Sequence, residues 1–300
     1  MNILITGAWN DAKKHIEKIE NLGHSVCFMQ HEDEGIACEY DWADMIICNG
    51  LFLHHDISRF SNLKYIQLTS AGFDRINMEQ INAKGIQIKN AAGVYSIPMA
   101  EFAVGSIIQF YKSSKVFYEK QKKHKWVKDR SLMELYGKTA VILGCGSIGT
   151  ECAKRLDAFD CNVLGISKSG RQKSYFKEVF TTDELDILLS QADILIIAAP
   201  LNSDTRNIIN RERLTALKDR CVVVNIARGP IIDEKALVDV LKQNRIYAAL
   251  DVFDNEPLDE SNELWDMENV ILTPHNSFVG DGNSDRLYEI IFNNLKMWSI

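Results

Sequence analysis

Over roughly its first hundred residues the chain alternates short apolar runs with amphipathic stretches: "NILITGA", a helical pattern over 11–21, then "HSVCFMQ", "ADMIICNG", "LKYIQLTSAG" and "IQIKNA". Strands recurring at that spacing between helical patterns predict βαβ units and a parallel sheet. At Pro98 the pattern lengthens into "PMAEFAVGSIIQFYKSSKVFYEKQKKHK", with proline near the first turn, where its missing N–H is no loss. One bent helix and two helices both fit that stretch. From Lys138 a second alternating series begins: "TAVILG", a helix from 147, "NVLGIS", a short helix over 183–190, "ADILIIAAP", a helix from 210, "CVVVNIA", a helix from 234, "IYAALDVF" and "NVILTPH". That series has the strand count of a complete doubly wound sheet, about six. The final "DGNSDRLYEIIFNNLKMWSI" predicts a helix with Leu287, Ile290, Ile291, Asn294 and Leu295 on one stripe. Nothing repeats beyond the βαβ rhythm.

A chain of 300 residues is long enough for two cores. Its 41 acidic and 34 basic side chains leave a formal charge of −7, which argues against general affinity for nucleic acid or an anionic membrane and leaves small charged metabolites as ligands. The seven cysteines are scattered and never spaced Cys-x-x-Cys, so neither a disulfide framework nor a zinc or other metal site is expected. The chain opens on strand-like "MNILITGA" without a basic leader, and its longest apolar run, near "ADILIIAA", falls well short of the ~20 residues of a membrane span; a cytoplasmic protein is expected. The lysine-rich stretch 112–128 reads as a solvated helix face. Phe102, Ile107, Phe110, Tyr111, Val116, Phe117 and Tyr118 exceed what one buried stripe requires, and such a surplus predicts a homodimer interface.

Gly144-x-Gly146-x-x-Gly149 follows the strand "AVIL" and opens a helix, the setting in which an otherwise weak pattern points to a dinucleotide. Gly144 permits the tight turn, Gly146 lets the backbone approach a pyrophosphate, and Gly149 lets helix and strand pack closely, while the helix N-terminus presents unpaired N–H groups to the anion. The next strand closes in "VLGISKSGR". Where NAD-preferring folds carry Asp or Glu, this chain has Ser167, with Lys168, Ser169 and Arg171 beside it. Hydroxyls and cations suit a 2′-phosphate, which a carboxylate would repel, so NADP(H) is the expected cofactor. NAD(H) is tolerated if Lys168 and Arg171 merely face solvent. Ser147, Ile148, Pro200, Ala227 and Asp251 are expected to complete the cofactor contacts.

Three further strands end in polar groups: "VVVNIARGP" in Arg228, "ALDVFDNEPL" in Glu256 and "VILTPHNSFVG" in His275. Taken singly, each also reads as a turn residue, a surface acid or a strand cap. In a parallel sheet, however, all three should gather at the carboxyl rim where ligands bind. Arg can grip a carboxylate with two N–H bonds, His exchanges a proton near neutral pH, and Glu beside His orients the ring.

With these motifs in place the sequence resembles the D-2-hydroxyacid dehydrogenases, through "TSAGFDRIN", "NAAGVYSIPMAE", "GCGSIG", "AAPLNSDTRNIIN", "VNIARGPIIDEKAL", "DVFDNEPL" and "TPHNSF" over nearly its whole length. The resemblance implies an α/β architecture of two doubly wound parallel-sheet domains: a Rossmann cofactor domain, 99–278, inserted in a flavodoxin-like substrate domain, 1–98 plus 279–300, with the active site in the cleft. It implies catalytic roles for Arg228, Glu256 and His275, and receipt of a substrate carboxylate by the backbone N–H groups of Ala71 and Gly72, which the residues alone show only as a loop. Asn276, Ser277 and Phe278 replace the small residues usual after the catalytic histidine, and Tyr95 stands in the substrate-side loop. The implied activity is hydride transfer between NADP(H) and C2 of a small 2-keto or D-2-hydroxy acid. The alternative is a dinucleotide-sensing interaction protein of the same fold, which the intact Arg228, Glu256 and His275 disfavour; a formate-type dehydrogenase would carry Gln in place of Glu256.

Overall fold

The computed structural model describes residues 1–297, so the last three positions of the C-terminal segment expected in the substrate domain, 298–300, lie outside the described residues. Two compact units form, Met1–Tyr95 with Gly280–Ile300, and Ser96–Val279.

The first unit contains β1 (Asn2–Thr6), α1 (Ile16–Glu20), β2 (Ser25–Met29), β3 (Met45–Cys48), β4 (Tyr65–Leu68), α2 (Met78–Ala83) and β5 (Gln87–Lys89). Its sheet is parallel throughout, in the order β2-β1-β3-β4-β5, the flavodoxin-like winding. Every residue of β3 and β4 is buried, which is why "MIIC" and "YIQL" read as continuous rather than alternating runs. The C-terminal helix Asn283–Lys296 returns to this unit and lays Leu287, Ile291 and Leu295 on Ile3, Ile5 and Tyr65. Asn294 on the same stripe is buried with partners: it donates to Gln67 Oε1 at 2.7 Å and accepts from Lys89 Nζ at 2.9 Å.

The second unit opens with α3 (Ser96–Tyr111) and α4 (Ser114–Lys122). These are two helices, parted where Ser113 takes a left-handed φ of 50°. Then follow β6 (Thr139–Leu143), α5 (Ser147–Asp157), β7 (Asn162–Ile166), β8 (Glu178–Phe180), α6 (Leu185–Leu189), β9 (Ile194–Ile197), α7 (Arg211–Ala216), β10 (Val222–Asn225), α8 (Glu234–Leu241), β11 (Tyr247–Leu250) and β12 (Val270–Leu272); the C-terminal helix is α9. The parallel sheet runs β12-β11-β10-β9-β6-β7-β8, so the winding reverses between β6 and β9. Asn210 and Asp233 cap α7 and α8 by accepting from Arg213 N–H and Ala236 N–H.

Two departures from the sequence reading stand out. The helix of the lysine-rich stretch stops at Lys122, where His124 turns left-handed at φ 51° and the His124 and Lys125 N–H groups return to the Gln121 and Lys120 carbonyls, the double bond of a Schellman stop. And β8 was not anticipated: its "EVF" is too short to show a period.

Candidate functional site

The glycine loop between β6 and α5 is shaped by three separate constraints. Gly144 has φ +104°, and a Cβ there would lie 2.6 Å from the backbone of Ala198 and Ala199 at the end of β9. A Cβ on Gly149 would lie 1.9 Å from the Gly144 carbonyl oxygen, so the first turn of α5 rests directly on the loop. Gly146 differs: nothing stands within 4 Å of a Cβ there, and as N-cap of α5 it offers no side-chain oxygen to the first-turn N–H groups. Gly146 and Ser147 are exposed and Ile148 is half-buried. The result is an open cradle of unpaired N–H groups at the positive end of a helix, which fits the pyrophosphate of a dinucleotide.

Past β7 the chain turns tightly: Gly170 N–H returns to the Ser167 carbonyl with Gly170 at φ +58°, and Ser167 N–H bonds the Phe180 carbonyl of β8. Ser167 is half-buried, while Lys168, Ser169 and Arg171 are exposed. Lys168 Nζ lies 3.2 Å from Asp204 Oδ2, a residue of the loop after β9 that the sequence did not single out. Pro200 in that loop is exposed and its carbonyl accepts from Thr205 Oγ1. Ala227 is buried, and its backbone is engaged by Asn225 and by Arg228 Nη1.

The turns after β10 and β11 are pressed together. A Cβ on Gly229 would lie 2.0 Å from the carbonyl carbon of Phe253, so the "RGP" turn carrying Arg228 can seat on the loop carrying Glu256 only with glycine at that point. Glu256 Oε1 accepts from Phe253 N–H at 3.1 Å, which aims the carboxylate, and Oε2 meets His275 Nδ1 at 2.8 Å. A carboxylate only accepts, so Nδ1 carries the proton and Nε2 is left for exchange with a ligand. His275 itself sits at φ +50°, a conformation costly for a residue with a Cβ. Its N–H is shared between the Asp251 and Thr273 carbonyls at 2.8 and 3.0 Å, and the Phe278 ring stands edge-on at 6.0 Å.

Asp251 holds this turn. It is fully buried, and its carboxylate accepts from Thr273 Oγ1 at 2.6 Å, Asn276 N–H at 2.7 Å and Ser277 N–H at 3.0 Å. The structure therefore engages Asp251 with the His275 loop, a role its place among the expected cofactor residues did not suggest.

In the first unit, the loop after β4 is braced at every carbonyl. Ala91 N–H donates to Ser70 O at 2.8 Å, Ser70 Oγ to Gly72 O at 3.1 Å, Asn90 Nδ2 to Ala71 O, and the Tyr95 hydroxyl to Thr69 O. Among the described residues the N–H groups of Ala71 and Gly72 donate to no protein acceptor, so the loop presents two donors to an anion. Also among the described residues, no group of three or more His, Cys, Asp or Glu is placed to hold a metal ion, every cysteine is unbridged, and no helix is long and apolar enough to cross a membrane.

A dinucleotide cradle at a switch point, with an acid–imidazole pair at the end of neighbouring strands, defines a nicotinamide-dependent oxidoreductase. Residues 104–277 match the family described as D-isomer specific 2-hydroxyacid dehydrogenase, NAD binding domain. A glyoxylate reductase of Thermofilum pendens is 36% identical over 242 residues, covering 78% of this chain and 71% of that protein. A D-3-phosphoglycerate dehydrogenase of Methanocaldococcus jannaschii is 35% identical over 280 residues, 92% of this chain and 53% of that longer one. The crystal structure of a glyoxylate reductase from Paecilomyes thermophila superposes with a TM-score of 0.84 at 28% identity, covering 99% of this chain and 94% of that one. The chain belongs to the D-isomer specific 2-hydroxyacid dehydrogenase family, as an NAD(P)-dependent enzyme.

Proposed function

We propose that this enzyme reduces a small 2-keto acid of the glyoxylate or hydroxypyruvate kind, with NADPH preferred over NADH. The observation that carries the reading is the 2.8 Å contact between Glu256 and His275 Nδ1, which leaves Nε2 as the proton donor. The reduced nicotinamide, when bound, supplies the hydride. His275 gives its Nε2 proton to the carbonyl oxygen, and Glu256 stabilises the ring while it is charged. Arg228 holds the substrate carboxylate and polarises the carbonyl, and in the first unit the Ala71 and Gly72 N–H groups, on the loop that Tyr95 braces, are substrate-binding donors suited to a carboxylate. Gly144, Gly146, Ser147, Ile148 and Gly149 cradle the pyrophosphate, while Ser167, Lys168, Ser169 and Arg171 receive the 2′-phosphate. Pro200, Ala227 and Asp251 complete the cofactor site in this reading.

The compact units support the domain assignment: a cofactor domain over 99–278 and a substrate domain from 1–98 and 279–300. We read the enzyme as a cytoplasmic homodimer; seven unbridged thiols are in keeping with a reducing compartment. The test of the catalytic reading is a panel of glyoxylate, hydroxypyruvate and pyruvate assayed with both reduced cofactors, in the parent and in His275→Ala. We expect turnover favouring NADPH, and a fall of roughly 10²- to 10⁴-fold in kcat for the variant with cofactor binding intact. Turnover within a few-fold of the parent would remove His275 from the proton step, and a parent favouring NADH would overturn the cofactor preference.

A further inference from the structure

We propose that Asp204 is a specificity residue of the cofactor site: paired with Lys168 across the crevice, its carboxylate contends with a 2′-phosphate for that ammonium and holds the NADPH preference below what the "SKSGR" turn alone would give. The inference rests on the cofactor reading above.

The placement follows from the sheet. β7 and β9 flank β6 on either side, so their carboxyl ends are about two strand spacings, roughly 10 Å, apart. Lys168 follows the end of β7 and Asp204 lies in the loop after β9, yet Lys168 Nζ and Asp204 Oδ2 stand 3.2 Å apart. The pair therefore spans the end of β6, where the glycine loop opens and where the winding reverses, the place at which this fold lays its dinucleotide.

The two partners are not equally mobile. Asp204 sits on a turn tied at several points: Asn202 Oδ1 accepts from the N–H groups of Asp204 and Thr205 at 2.9 and 3.1 Å, and Thr205 Oγ1 donates to the Pro200 carbonyl at 2.7 Å. Lys168 is a long side chain 93% exposed, and among the described residues no other contact fixes its ammonium. An arriving 2′-phosphate thus draws the long lysine toward itself further than the short Asp204 side chain, on its tied turn, can follow. Two anions then share one lysine, and the phosphate bears the repulsion. The neutral 2′-hydroxyl of NADH carries no charge to repel. Because Asp204 is also largely exposed, at 66%, solvent screens the effect, which is several-fold rather than orders of magnitude.

The experiment is calorimetric binding at low salt of NADPH, NADH, 2′,5′-ADP and 5′-AMP to the parent, Asp204→Asn, Lys168→Gln and the double variant, with no turnover required. Asp204→Asn is expected to tighten NADPH and 2′,5′-ADP by about 3- to 10-fold and leave NADH and 5′-AMP within about two-fold, the gain shrinking as salt is raised. In the Lys168→Gln background the gain from Asp204→Asn is expected to shrink, since the contest for the ammonium is gone. An unchanged or weakened NADPH affinity in Asp204→Asn, relative to NADH, overturns the inference. A parent that binds NADH more tightly overturns the cofactor reading instead, and the change in the ratio on Asp204→Asn still decides the role of Asp204.

Discussion

Replacing Asp251 by Asn changes one atom in a fully buried side chain and should disable the turn that presents His275. Three donors converge on the carboxylate: Thr273 O–H and Asn276 N–H on one oxygen, Ser277 N–H on the other. If the amide oxygen takes the first position, the new NH₂ faces Ser277 N–H; if it takes the second, the NH₂ faces two donors. Either way at least one hydrogen bond is lost and a buried donor is orphaned, at about 1–3 kcal/mol for each unsatisfied group, so the native turn loses roughly 2–4 kcal/mol. His275 stands left-handed in that turn, a conformation that costs on the order of 1–3 kcal/mol and persists only while its surroundings impose it. Part of the lesion is therefore relieved by letting His275 relax, which moves the imidazole off Glu256. The variant should show a melting temperature lowered by roughly 5–15 °C in a unit of this size, together with a fall in kcat larger than the change in cofactor affinity. Thr273→Val, which removes one donor and leaves the carboxylate two, should cost about 1 kcal/mol and far less activity. Thermal unfolding and steady-state kinetics on the two variants make the comparison. Melting within about 1 °C of the parent and kcat within a factor of two would refute the reasoning. A loss confined to cofactor affinity would place Asp251 on the cofactor and not under the loop.

Two further outcomes are expected. His15 stacks on Trp9 and packs at a tilt on Tyr288, its Nδ1 is buried without a partner among the described residues, and burial lowers its pKa. The unfolded chain then takes up a proton more readily as pH falls through about 6.5, so the first unit loses stability on acidification, and His15→Phe should raise the melting temperature more at about pH 5.5 than at about pH 7.5. Val116, Phe117, Tyr118, Trp126, Val127 and Tyr136 are exposed on one continuous segment of the second unit, and light scattering at micromolar concentration should return the mass of a dimer; a monomer mass removes that assignment.

The parts of the fold legible in the sequence are those that local chemistry decides. "MIIC", "VVVN" and "ILII" announce strands because both faces of each are covered, and the apolar stripe of α9 announces its buried face. Asn294 on that stripe was visible as an exception, but its partners, Gln67 and Lys89, come from β4 and β5, more than 200 positions away. The aromatic surplus around α3 and α4 divides in the same way: Ile107 and Tyr111 are core residues of the second unit, while Val116, Phe117 and Tyr118 are exposed. Periodicity gave one answer for both because it reports spacing on a helix, not what lies opposite. The stop of α4 escaped because a histidine, not a glycine, takes its left-handed position.

The candidate site was legible in its types and not in its supports. Arg228, Glu256 and His275 each follow a largely apolar strand, a local signal, and the sheet does the rest by bringing strand ends together. What fixes them is non-local: Gly229 is required by the backbone of Phe253, and the left-handed turn of His275 by the side chain of Asp251. These supports share one logic. Each takes a turn that could relax and removes its alternatives, by a Cβ that cannot fit or a carboxylate that needs all its donors. A rim built this way positions an imidazole without spending a flexible loop on it, and its sensitivity should therefore concentrate at Gly229 and Asp251, residues whose side chain, or lack of one, acts on the imidazole only through what it holds in place.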